Sequence, residues 1–374
     1  MNNRDRMMAI LQYKSYDRMP VVHFGFWQET LEKWCREGHI TREEADGWRA
    51  NNQYDTSLCA KLGFDSNWAY MIGEKGSVGS LHPGFERQVL EVSEDGFRKV
   101  VNEEGAIVLE RDGVGSIPAE VDHLLKGRRE WEEMYLPRLR YVPDRLDWDS
   151  IAEAKQGACK DKPLGIYCGS LFGQIRNWLG LTGVSYLYVD DEGLYDEIID
   201  TVGNLCYRVT QEILKTGMTF DFAHFWEDIC FKNGPLVTPR VFDEKGGPHY
   251  KRITELLKSH GVDIVSLDCD GMIDALIPTW IQNGVNTMFP IEVGTWDASI
   301  APWRESYGRE LRGVGGMNKT VFALDYEAVD REIERLKPLV DLGGYIPCPD
   351  HRIAPDAKWE NVQYYCEKMR RAFG

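Results

Sequence analysis

Short apolar runs alternate along this chain with longer stretches in which apolar residues recur every three or four positions. The runs are PVVHFGF (20–26), FDSNWAYM (64–71), PLGIYCG (163–169), FDFAHFW (220–226), VDIVSLD (262–268), VNTMFPIE (285–292), RGVGGMN (312–318) and GGYIPCP (343–349). Their length and their Gly, Asp, Asn and Pro borders suit strands buried on both faces. Between them, LYDEIIDTVGNLCYRVTQEILKTG and LDYEAVDREIERLKPLVDLG predict helices, the second closed by a glycine. Strands alternating with helices imply a parallel sheet, and eight such units predict a (β/α)8 TIM barrel spanning residues 1–374 as one domain. One stretch departs from this period. RQVLEVSEDGFRKVVNEEGAIVLER (87–111) alternates apolar and polar residues around two turn signals, which predicts an antiparallel hairpin or meander inserted over 85–112.

Composition narrows the function classes. With 374 residues, 43% hydrophobic and 28% charged, the chain has the make-up of an ordinary globular protein. A net charge of -16 argues against nucleic acid and against anionic membrane surfaces. No segment approaches the roughly 20 apolar residues of a membrane span, and the N-terminus lacks the apolar core of a signal peptide. Nine cysteines without a C-x-x-C pair are expected to be reduced thiols in a cytoplasmic protein. No G-x-G-x-x-G or G-x-x-x-x-G-K-[ST] follows a strand, which removes the usual nucleotide sites.

In a barrel of this kind the active site lies at the C-terminal strand ends. That rule selects His23, Trp27, Asn67, Tyr167, Glu227, Asp228, Asp268, Asp270, Glu292 and His351, with Met317 closing the seventh strand. Asp268 and Asp270, two apart in IVSLDCDG, would point to the same side. Several carboxylates facing one cavity repel each other unless a cation lies between them. Asp268, Asp270, Glu292 and His351 are therefore candidate ligands for one metal ion, zinc or another divalent cation. The alternative is structural: a strand-end Asp often caps a helix, and Asp270 before Gly271 suits a turn. Glu227, Asp270 and Tyr167 are candidate catalytic groups, and His23, Trp27, Asn67, Arg176 and Met317 candidate substrate contacts. His224 reads more simply as a core histidine; His39, His82, His123, His249 and His260 sit among polar residues and read as surface.

Four segments resemble the uroporphyrinogen decarboxylase superfamily, and within it the corrinoid-dependent methyltransferase branch. They are RMPVVHFGFWQET, GVGSIPAEVDHLLKGRREWEEM, HFWEDICFKNGPLVTP and GGYIPCPDHRIAPDAKWENVQYYC, the last carrying a P-D-x-x-x-E-N ending as PDAKWEN. The resemblance implies a TIM barrel with an N-terminal extension. Its decarboxylases hold propionates with N-terminal arginines. PVVHFGFWQET has none, so porphyrin decarboxylation is discounted. The thiol methyltransferases bind zinc through His-x-Cys-Gly, a glutamate and a distal Cys, which places Asp268, Asp270, Glu292 and His351 at the matching positions; Cys269 and Cys348 remain off-register alternatives. Oxygen ligands leave a harder ion, suited to polarising an ether. The expected reaction moves a methyl group from a methoxyaromatic compound to the Co(I) corrinoid of a partner protein. The alternatives are a uroporphyrinogen-decarboxylase-like decarboxylase, or a methyltransferase with a methylamine, betaine or thiol donor. The chain has no D-x-H-x-x-G corrinoid motif, so the partner must supply that cofactor.

Overall fold

A computed structural model describes residues 1–73, 78–111, 118–157 and 160–374. Residue 112 of the predicted insertion and residues 113–117 of GVGSIPAEVDH lie outside the described residues. In chain order the strands are β1 (Val22–His23), β2 (Ser66–Asn67), β3 (Tyr70–Ile72), β4 (Gln88–Val92), β5 (Arg98–Val101), β6 (Ala106–Glu110) and β7 (Ala119–His123). Then follow β8 (Leu164–Tyr167), β9 (Phe222–Trp226), the short hairpin β10 (Cys230–Phe231) with β11 (Gly234–Pro235), β12 (Val265–Asp268), β13 (Thr287–Ile291), β14 (Arg312–Met317) and β15 (Tyr345–Pro349).

All eight apolar runs coincide with strands. Seven parallel strands lie side by side in the order β15-β14-β13-β12-β9-β8-β3, and β1 pairs in parallel with β2. Phe26, just after β1, bridges Ile353, just after β15, with Trp27 N donating to Ile353 O at 3.2 Å. The arrangement is a curled parallel sheet, TIM-barrel-like. Every residue of β13 and β15 is buried, as expected where helices cover one face and core side chains the other. The glycines of RGVGGMN serve strand packing: a Cβ on Gly315 would lie 2.4 Å from the backbone nitrogen of Ile291. The predicted helices appear as Glu192–Leu214 and Tyr326–Asp341, each started by an aspartate, Asp191 and Asp325, that accepts a backbone N–H. Among the described residues, no helix is long and apolar enough to cross a membrane.

The insertion is larger than its alternation suggests. It forms a four-stranded antiparallel sheet in the order β4-β5-β6-β7, and its last strand, AEVDH, lies beyond the predicted limit. Four of those five residues are exposed, so no apolar alternation marks them. Glu104, in the β5–β6 turn, joins the insertion to the helix Phe172–Asp190 by accepting from Trp178 Nε1 and Gln174 Nε2, both at 2.6 Å. Burial pushes its carboxyl up, and these two bonds oppose that. Replacing Glu104 with alanine strands two buried donors and is expected to cost about 1–3 kcal/mol, read as a lower urea midpoint.

Candidate functional site

The acidic strand ends divide into two groups according to where their oxygens go. Glu227, fully buried after β9, turns toward the neighbouring β8 loop. It accepts from Leu171 N at 3.0 Å, Gly173 N at 2.8 Å, Ser170 Oγ at 3.2 Å and the hydroxyl of Tyr250. It thereby satisfies free N–H groups at the start of the helix Phe172–Asp190. Burial still pushes its carboxyl up, and the donors oppose that. Glu292, two strands on, likewise turns to the neighbouring β12 loop, accepting from Gly271 N at 2.5 Å, and also accepts from Thr295 Oγ1 at 2.9 Å. Asp350, 2% exposed after β15, accepts from Val293 N at 2.9 Å, Gly294 N at 2.7 Å and Lys319 N at 3.1 Å. Each of these carboxylates clamps the loop of another strand of the sheet.

The second group faces a cavity of about 690 Å³ at the C-terminal strand ends, where this fold places its chemistry. Its lining brings together the polar Asp228, Asp268, Asp270, His351, Gln28, Arg49 and Arg352 and the aromatic Phe24, Phe26, Trp27, Trp48 and Trp226. Asp228 has a left-handed backbone (φ 52), a conformation aspartate tolerates better than most residues. It accepts from Asp270 N at 3.0 Å. Burial, and then the Asp270 carboxylate, push the Asp228 carboxyl up. His351 Nε2 lies 3.3 Å from Asp270 Oδ2, and its ring stacks on Trp27 at 5.4 Å. On the rim, the Arg352 guanidinium lies 5.4 Å from the Trp27 ring centre, and Arg176 lies 5.7 Å from that of Trp226 while donating to Asp228 O.

The predicted metal ligands are only partly brought together. Asp270 and His351 touch, and Glu292 is close enough for Asp270 to push its carboxyl up after burial has done so. The one group among the described residues whose ligand atoms all lie within 4.8 Å of one another is instead His23, Asp55 and Cys59. By proximity these three could hold a metal ion. In the structure they form a buried hydrogen-bonded set: His23 Nδ1 accepts from Gly25 N at 3.0 Å, which leaves the ring proton on Nε2, 3.1 Å from Cys59 Sγ. Asp55 in turn accepts from Trp48 Nε1 at 3.0 Å and so fixes one aromatic wall of the cavity.

The other predicted contacts are spread out. Trp27 lines the cavity. His23 is fully buried beneath it, and Asn67 is 5% exposed, its oxygen turned to Ala69 N at 3.4 Å. Met317 is fully buried in the core at the end of β14. Tyr167 packs 6.3 Å from the His224 ring. His224 is a core histidine bonded to Ser266 Oγ at 2.7 Å, and burial holds it down at about 3. His249, read as surface, is buried and 2.7 Å from Asp200. Sequence reasoning missed Phe24 and Trp48 as cavity walls. The signal available was the aromatic density of HFGFW and of GW at residues 47–48.

One pH test follows from Glu292. Its folded-state pKa is raised above the ordinary 4.5, so its contribution to stability is full below that value and is lost as pH rises through the folded value. Gln can still accept from Gly271 N and donate to Thr295. Relative to Glu292→Gln, the wild type is therefore expected to lose stability as pH rises from about 4.5, measured by urea unfolding at several pH values.

No known protein family matches the sequence, and no curated protein does. Among solved structures, a methyltransferase from Methanosarcina mazei matches over 99% of this chain and 98% of its own, with TM-score 0.64 and 14% identity. A putative vitamin-B12-independent methionine synthase from Listeria monocytogenes (TM-score 0.43, 13% identity, 96% of this chain and 100% of its own) is more remote. So is a B12-independent methionine synthase from a Shewanella species (TM-score 0.46, 11% identity, 95% and 98%). The first likeness is one of fold.

Proposed function

We propose that this chain is a corrinoid-dependent methyltransferase of the cytoplasm. It takes a methyl group from a small methylated donor in the strand-end cavity and passes it to the Co(I) corrinoid of a partner protein. The observation that carries this reading is the cavity itself, where Asp228, Asp268, Asp270 and His351 share one lining with three tryptophans on a fold similar to that of the Methanosarcina mazei methyltransferase. We also take the sheet as a closed (β/α)8 barrel, a reading supported by the Phe26–Ile353 bridge. Trp27 and Trp226 would orient the donor and exclude water, and the Asp270–His351 pair would hold or release a proton beside it. Glu227, with its oxygens committed to four donors, acts on this reading as a positioning residue.

The resemblance implies zinc or another divalent ion on Asp268, Asp270, Glu292 and His351, acting on a methoxyaromatic donor. As arranged, these residues do not fit one. Glu292 is held by Gly271 and Thr295, and no three of the four bring ligand atoms within 4.8 Å of one another. Metal content is accordingly expected to be the same in wild type and His351→Ala, by elemental analysis of the purified proteins. Loss of an ion from the variant would return His351 to the ligand role.

The function is tested by mixing the protein with a reduced corrinoid protein and methylated compounds, following Co(I) and methyl-Co(III) by absorption. Formation of methyl-Co(III) that depends on this chain supports the reading. Its absence with ethers, amines, quaternary ammonium compounds, sulfonium compounds, thiols and thioethers alike would overturn it.

A further inference from the structure

Asp228, Asp268 and Asp270 share one cavity with Trp27, Trp48 and Trp226, and this combination has a physical preference of its own. Indole faces carry negative charge density and attract a desolvated cation within about 6 Å. The two arginines on Trp27 and Trp226 show these rings in contact with cations already. Carboxylates in the same lining add to the same field. Asp228 shows the crowding, since the Asp270 charge opposes its ionisation. A cation among these side chains relieves it. The carboxylates are not arranged to chelate a bare metal ion, because no three of the candidate ligands approach closely enough. A bulky, diffuse cation needs no such convergence, and about 690 Å³ is an ordinary size for a small-molecule site.

The lining also contains Arg352, whose guanidinium sits over Trp27 and forms no ion pair among the described residues. Arg49, the other guanidinium of the lining, is committed to the carbonyls of Asp46 and Trp48. We propose that the cavity binds a quaternary ammonium compound carrying a carboxylate, a betaine-type zwitterion, with the onium head among the tryptophans and aspartates and the carboxylate on Arg352. The inference rests on the methyl-transfer reading only for what happens next. There, the Co(I) electron pair forms the Co–C bond and the C–N pair leaves with nitrogen. The products are methyl-Co(III) and a tertiary amino carboxylate whose nitrogen is neutral. The leaving nitrogen carries no negative charge, so it needs neither a Lewis acid nor a proton in the transfer step, unlike an ether oxygen.

Calorimetry on the full chain tests the ligand class apart from the chemistry. Glycine betaine, tetramethylammonium and 4-methoxybenzoate are titrated into wild type, Asp270→Asn, Trp27→Leu and Arg352→Gln, with circular dichroism to confirm folding. The result expected is that glycine betaine binds and 4-methoxybenzoate does not. Asp270→Asn and Trp27→Leu should each weaken betaine about tenfold, and Arg352→Gln should weaken betaine but not tetramethylammonium. Binding of 4-methoxybenzoate alone, no binding of either onium, or onium binding indifferent to Asp270 and Trp27 would overturn the proposal. Onium binding with those sensitivities but no methyl-Co(III) upholds the ligand class and overturns the transferase reading instead.

Discussion

Replacing Glu227 with alanine is expected to destabilise the protein by about 4 kcal/mol, seen as a large fall in the urea midpoint at unchanged slope. The size follows from the partners. Leu171 N, Gly173 N, Ser170 Oγ and the Tyr250 hydroxyl all donate to this one buried carboxylate. Removing it leaves those donors without an acceptor, and an unpaired buried donor costs about 1–3 kcal/mol before water enters the space. Glu227→Gln should recover part of the loss. The amide offers one acceptor oxygen but turns an NH2 toward groups that are themselves donors. If Glu227→Ala kept wild-type stability and lost only activity, Glu227 would be a reacting group and not the holder of the β8 loop.

Asp350→Ala is the second large effect, at about 3 kcal/mol. Here three backbone N–H groups from two loops lose their acceptor. Those loops carry Glu292 and Lys319. Burial pushes the Lys319 ammonium down, while Asp350, Glu292 and Asp270 together hold it up. Glu292 holds Gly271 N beside the lining residue Asp270, so loosening its loop reaches the cavity as well as the fold. Asp350→Ala should therefore lower donor affinity in the fraction that remains folded, measured by calorimetry below the unfolding transition. Asp350→Asn keeps one acceptor oxygen and should fall between wild type and alanine on both readouts. A variant with full stability would show that the Val293, Gly294 and Lys319 amides find other acceptors.

These two residues also show where sequence reasoning stopped. The strands were legible because a parallel strand covered on both faces must be nearly all apolar, and FDFAHFW and VNTMFPIE are. Strand AEVDH was not legible, because four of its five residues are exposed and it has no buried face to mark it. Carboxylates at strand ends were legible for the same reason as the strands. Their destinations were not. Glu227 and Asp228 are adjacent in sequence, yet one turns into a neighbouring loop and the other into the cavity, a choice tied to the left-handed backbone at Asp228. Likewise Trp27, Trp48 and Trp226 come from three distant segments, and only the folded chain brings them to one wall. Convergence on a metal was expected from charge repulsion and from the family resemblance. The backbone N–H groups that settle Glu292 and Asp350 instead carry no signature in residue spacing.

The account turns on the strand-end cavity being the donor site. Cavities of similar size lie between residues 120–128 and 179–194, and beside Asn2, Arg18 and Lys162. The most direct test is a crystal structure with the methylated compound that turns over. The predicted result is electron density between Trp27, Trp226 and Asp270, with the methyl carbon open to the approach of a corrinoid. Density in either of the other two cavities, with the Asp270–His351 pair untouched, would contradict it.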